Sequence, residues 1–176
     1  MLLPKLLVLI GLFVIFLQDV KSRAVYWIVF PILFVLLGIL HSISNTTLTE
    51  VWRSTAINLG FLLLQLVLLS IYFSVKNMRV TNVTDGLLGL GDVLFLLTIA
   101  VYLSVLNFLF FYIISLALVL ISWLLMQFVS AKKSKEIPLA GMQALIFMVF
   151  LSCDWWLKIF NLTNDTWLIN LITKWT

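Results

Sequence analysis

Two aspartates in this sequence stand where a carboxyl group needs a reason to be. Asp19 closes the apolar run from Leu6 to Gln18, and Asp92 opens the run from Val93 to Ala131. A carboxylate at the middle of a membrane helix costs roughly 2.5–3.5 kcal/mol on insertion scales. Two carboxyls brought to one depth cannot comfortably both ionise, so one proton divides between them and leaves a neutral acid beside a carboxylate base. Such a pair can deprotonate water and polarise a peptide carbonyl with no metal and no cofactor. Gly89 and Gly91, in the Gly-Leu-Gly-Asp stretch that ends at Asp92, lack Cβ atoms and let a helix or an extended chain come close. Lys21 and Arg23 follow closely on Asp19.

Each acid also has a plainer reading. Asp19 reads as juxtamembrane charge among headgroups beside Lys21 and Arg23. Asp92 reads as a first-turn acid that complements a helix macrodipole, with Gly89 and Gly91 as turn residues. Asp85 falls in a polar loop and reads as solvated, a distant substitute for either. His41 reads as an interfacial imidazole at a helix end rather than a metal ligand, and Asp154, beside Trp155 and Trp156, as a boundary residue. The single Cys153 excludes an intramolecular disulfide and a cysteine-based zinc site.

The elements that must position these groups follow from composition. The chain has 176 residues, 64% apolar and 10% charged, with a mean hydropathy of +1.21, whereas soluble domains run near about 45–50% apolar and about 25% charged. A water-soluble globule is excluded. Charge-free stretches, Leu6–Gln18, Ala24–Thr49, Ser54–Val75, Val93–Ala131 and Ile137–Cys153, approach or exceed the roughly 20 residues that cross a hydrocarbon core. The net charge of +4 and pI of 9.4 come from small basic groups between apolar runs, which points to a lipid bilayer and not to nucleic acid.

The pattern predicts an all-α polytopic membrane protein, a single domain over residues 1–176 built as a bundle of about six transmembrane helices. Helix one covers Met1–Gln18, helix two Val25–Leu40 and helix three Thr55–Val75. A turn near Ser104–Asn107 divides the long run into helices four and five, and Pro138 falls in the first turn of helix six. His41–Arg53 and Lys76–Asp85 read as loops, and the tail after Cys153 as an extension of helix six followed by an interfacial segment. Ser22-Arg23-Ala24 has the shape of a signal cleavage site, but charge directly after the apolar core disfavours export and cleavage. Seven of the 11 basic residues lie in the loops after helices one, three and five. The positive-inside rule then puts both termini outside and Asp19 and Asp92 at the cytoplasmic face.

Three patches carry a family resemblance. Asp19-Val20-Lys21-Ser22-Arg23 is an Asp followed by basic residues, Gly89-Leu90-Gly91-Asp92 is a Gly-x-Gly-Asp motif, and Lys135-Glu136-Ile137-Pro138 is a basic-Ile-Pro entry to the last helix. In order and layout they resemble the type IV prepilin peptidases and their archaeal preflagellin relatives, intramembrane aspartic proteases. The resemblance implies that Asp19 and Asp92 are the catalytic pair, with Gly89, Gly91, Lys21 and Arg23 shaping the site. It implies a prepilin-like single-span membrane protein as substrate, cut after its basic leader at the inner face of the cell (cytoplasmic) membrane. It also implies a short form without the family's N-terminal methyltransferase portion. The chain departs from the family at Tyr26-Trp27, where Pro-Asn is usual, at Leu94, where Lys is usual, and at Gly141, where Pro is frequent. A reading from a different class is a non-catalytic membrane scaffold or small transporter subunit, in which the two aspartates position helices or bind cations.

Overall fold

In lipid every backbone N–H and C=O must find its partner inside the segment or in a closed barrel, and these apolar runs fold accordingly. The computed structural model describes residues 2–43, 47–78, 89–129 and 138–174, and the regular structure among them is helical. In chain order it forms α1 (Leu2–Ser22), α2 (Val29–Ile43), α3 (Leu48–Asn77), α4 (Leu90–Ile99), α5 (Val105–Val129) and α6 (Leu139–Ser152). A π-helical turn, Cys153–Leu157, continues α6, and α7 (Thr166–Thr173) follows after a short irregular stretch. The helices alternate in direction. Lys5 near the start of α1 lies over the ring of Trp155 past the end of α6, and Asp19 near the end of α1 bonds Gly141 in the first turn of α6.

Among the described residues, the expectation of six helices long enough to cross is corrected to four. Leu2–Ser22, Leu48–Lys76, Val105–Leu125 and Leu139–Leu157 are long and apolar enough to cross a membrane. With 15 and 10 residues, α2 and α4 reach only about 22 and 15 Å at 1.5 Å per residue, short of a hydrocarbon core of about 30 Å. The physical reason lies in the turn at residues 100–104, which comes before the apolar run is half spent. Polar side chains from α2 and α3 hold it there.

Other boundaries move too: α2 begins at Val29 and not at Val25, and the expected Ser104–Asn107 turn lies at 100–104, with 105–107 already in α5. α3 begins at Leu48 and not near Thr55, because Thr47 is its N-cap. The Thr47 hydroxyl accepts the Glu50 N–H at 3.4 Å while the Glu50 carboxylate accepts the Thr47 N–H at 3.3 Å, a reciprocal capping box. Most of the expected His41–Arg53 loop is therefore helix. Pro138 is the N-cap of α6 and not a first-turn residue. The predicted Lys76–Asp85 loop and the Lys135–Ile137 entry lie largely outside the described residues.

The core gathers on α6. Phe147 is fully buried and meets the rings of Phe111, Phe95 and Tyr102 edge-on at centroid distances of 5.3, 6.3 and 6.5 Å, the geometry that aromatic quadrupoles favour. Val8, Leu12 and Ile15 of α1 and Leu33 and Leu37 of α2 close the same core. α3 packs sparsely, touching α5, α2 and α4 while Leu63, Leu64, Leu68 and Ile71 stay exposed.

Candidate functional site

The first N–H groups of a helix have no partner within it, and Pro138, the N-cap of α6, offers no side-chain acceptor. Two carboxyls from distant parts of the chain supply the acceptors instead. The Gly141 N–H donates to Asp19 Oδ2 at 2.6 Å. The Asp92 carboxyl accepts the Gly89 N–H at 3.2 Å and lies within electrostatic reach of the neighbouring Ala140 N–H. The acids thus converge on consecutive residues of one helix start, Asp19 from α1 and Asp92 from α4, and lie within electrostatic reach of each other. Asp19 is 8% exposed, and Asp92 is partly buried.

The neighbouring residues take distinct parts. Arg23 is the cation that acts on the Asp19 carboxyl. It ends α1 in the left-handed region, φ 53°, with its N–H on the Asp19 carbonyl at 2.9 Å. Lys21 is exposed. Gly89 is the N-cap of α4, and a Cβ there would sit 3.0 Å from Asp92 Oδ2, so glycine leaves room for the carboxyl to fold back. Gly91 is under no such constraint, since its Cβ would rest 4.0 Å from that of Ala140. Tyr26 and Trp27, at the departure after the first motif, are exposed, and the Tyr26 N–H bonds the Gln18 side chain at 3.0 Å.

Gly141 and Gln143 are site residues whose role sequence reasoning missed. A Cβ on Gly141 would lie 2.8 Å from Asp19 Cβ and 3.2 Å from the Phe16 carbonyl oxygen, so only glycine lets α1 and α6 meet here. Its one signal in the sequence was the departure from proline. Gln143, 0% exposed, donates to Ser115 Oγ at 3.2 Å, while its Oε1 has no hydrogen-bond partner among the described residues. It lines a cavity of about 50 Å³ between α3, α4, α5 and α6, together with Asp92, Gln65, Tyr112 and several leucines. Buried acceptors left unpaired are rare in native structures, and this one opens on the same small chamber as Asp92.

The opposite end of the bundle is tied by a polar network. His41, near the end of α2, is buried at 2% exposure, its Nδ1–H donating to the Val101 carbonyl at 2.7 Å. Asn58 donates to the carbonyls of Ala100 and Leu103 at 3.0 and 2.9 Å. Asp154, read as a boundary charge, accepts the Tyr102 hydroxyl at 3.1 Å. Asp165 caps α5 from a distance, accepting the Leu106 and Asn107 N–H groups at 3.1 and 3.2 Å and the Ser104 hydroxyl at 2.6 Å. Asn107 donates to the carbonyls of Asn161, Leu162 and Asn164 and accepts the Trp167 indole N–H at 3.0 Å. Asn107→Leu removes the side-chain partner of the Trp167 indole N–H and of the Asn161 and Asn164 carbonyls, while the Leu162 carbonyl keeps the Ser104 N–H, and is expected to cost about 3 kcal/mol, read as a lowered unfolding midpoint of the purified protein.

Comparison of the chain with known protein families, with curated proteins and with solved structures finds no match. What the protein does rests on its own residues.

Proposed function

We propose that this protein is an intramembrane aspartic endopeptidase in which Asp19 and Asp92 form a water-activating dyad. The observation that carries the reading is their convergence at the start of α6, where Asp19 accepts the Gly141 N–H and Asp92 lies within electrostatic reach of both Asp19 and the Ala140 N–H. One carboxylate takes a proton from water as the oxygen attacks the peptide carbonyl, and the other, protonated, donates to the carbonyl oxygen. The N–H groups and the positive end of the α6 dipole hold both acids in place and favour the ionised one. In this reading α1 to α6 form one membrane-embedded domain, and the sparse packing of α3 beside the Asp92 chamber gives a substrate lateral access.

The resemblance to prepilin peptidases supports a substrate class: a prepilin-like single-span protein with a basic leader, cut at the cytoplasmic edge of the membrane. Lys21 and Arg23 do not attract a leader of their own sign; they bind anionic headgroups and fix the depth of the site. Specificity then comes from the depth of the bond and from a small residue that unwinds readily. With purified protein and substrate in one bilayer, moving the substrate's glycine a full helical turn into the membrane is expected to stop cleavage, and changing leader charge to have a lesser effect. Equal cutting of soluble peptides would sink the proposal.

The orientation that goes with this reading has both termini outside. In a Cys153→Ser background, a membrane-impermeant thiol reagent outside intact cells should label Thr49→Cys and spare Met78→Cys, which sit at opposite ends of α3. The reverse labelling would move both aspartates to the outer face.

One observation favours the scaffold reading. Asp165 caps α5 across the chain in the same way that Asp19 caps α6, and Asp92 caps its own helix through Gly89, with nothing catalytic about it. Under that reading asparagine serves as well as aspartate at all three positions.

A further inference from the structure

At the end of the bundle remote from Asp19 and Asp92, a cleft of about 600 Å³ lies between the start of α1, the end of α2 and the chain that follows α6. We propose that it binds the headgroup of an anionic glycerophospholipid, with the phosphate between Lys5 and Lys158 and the upper acyl chain along Leu40, Ile43 and Ile159. Among the described residues lining it, two cations, Lys5 and Lys158, face one acid, Asp154. Asp154 is already engaged, since it accepts the Tyr102 hydroxyl at 3.1 Å and interacts with Lys5. One positive charge is left over for a ligand. Lys5 is held in place for this, its ammonium 5.2 Å above the centroid of the Trp155 ring, a cation–π placement.

The backbone around the cleft is irregular in two ways. The last turn of α6 opens from α to π over Cys153–Leu157, and Lys158 then takes the left-handed conformation at φ 50° and ψ 34°. The wider turn and the reversal let Asp154, Trp155 and Lys158 all line one cleft. π turns cluster at functional sites, and no proline or glycine within Cys153–Leu157 demands this one; the left-handed Lys158 ends its helix as Arg23 and Met78 end theirs. The apolar wall decides between ligands of one chemistry. A free phosphate would use the lysines alone, whereas an amphiphile uses the lysines, the isoleucines and the amphipathic rings of Trp155 and Trp167, which suit the boundary of lipid and water.

Native mass spectrometry of the purified full chain with phosphatidylglycerol, phosphatidylcholine or sn-glycerol 3-phosphate tests the assignment. Phosphatidylglycerol is expected to be retained best. Lys5→Gln with Lys158→Gln should weaken it by about tenfold or more, the size expected for losing charge-assisted contacts. Lys5→Arg with Lys158→Arg should keep binding, which separates loss of charge from loss of fold. Lys76→Gln with Lys174→Gln removes equal charge outside the cleft and should leave binding unchanged. Equal loss in that control pair, or equal retention of phosphatidylcholine, would mean general lipid adhesion and overturn the site. Glycerol phosphate binding as tightly as the lipid would overturn the role of the apolar wall.

Discussion

Replacing Asp19 or Asp92 by asparagine is expected to stop peptide cleavage while leaving the helices assembled. The asparagine Oδ1 still accepts the Gly141 N–H at position 19 or the Gly89 N–H at position 92, so the caps survive, but an amide can neither take the proton of water nor hold one for the carbonyl. Loss of a positioned acid or base lowers turnover by about 10²–10⁴-fold. The double variant should be no worse than either single one, because groups that act as a unit lose activity non-additively. Alanine is a different substitution. Asp19→Ala leaves the buried Gly141 N–H without its acceptor, which adds a stability cost of about 1–2 kcal/mol. Asp85→Asn, at a position outside the described residues, should retain activity. Near-normal turnover by either Asp→Asn variant would leave the aspartates with the capping role alone.

Gly141→Ala is expected to be among the most disruptive one-carbon additions in the protein. The added Cβ would stand 2.8 Å from Asp19 Cβ, 3.0 Å from Asp19 Oδ2 and 3.2 Å from the Phe16 carbonyl oxygen. Two of those atoms are fixed by the α1 backbone, so α6 must retreat by several tenths of an ångström and the 2.6 Å bond to Asp19 must stretch. Overpacking of this kind costs about 1–3 kcal/mol, and here it also displaces a carboxyl of the pair. Gly11→Ala is the internal control. Its Cβ would meet Leu33 Cδ2 at 2.7 Å and Cγ at 3.1 Å, atoms of a buried side chain that can shift, whereas Gly141 faces α1 backbone. Thermal unfolding in detergent should show a clear drop for Gly141→Ala and a smaller one for Gly11→Ala. Equal drops would mean that the α1–α6 seam has more slack than these distances allow.

The contrast between those two glycines shows what the sequence could and could not reveal. Apolar runs and polar breaks located α1 to α6, and counting reversals was enough to bring the end of α1 and the start of α4 to one end of the bundle. The short reach of α4 was not legible, because nothing in the run from Val93 to Ala131 marks where His41 and Asn58, far away in sequence, grip the 100–104 turn. Thr47 and Glu50 did carry a capping signal, three residues apart, and it was hidden in what looked like a polar loop. Gly141, Gln143, Asn107 and Asp165 act through partners many residues distant, and no local spacing announces such pairs. Asn161 and Asn164 each open an Asn-x-Thr triplet. In the fold their side chains accept the Thr163 and Thr166 N–H groups, each at 3.0 Å, as turns.

The assignment of Asp19 and Asp92 as a catalytic dyad is tested most directly by cleavage in a defined bilayer. The purified chain is reconstituted with a single-span substrate whose glycine stands at the cytoplasmic edge, and the products are weighed by mass spectrometry. The expected result is one cut beside that glycine by the unaltered protein, and no product from Asp19→Asn or Asp92→Asn at equal folded amounts. An intact substrate with the unaltered protein folded, or equal product from the variants, would contradict it.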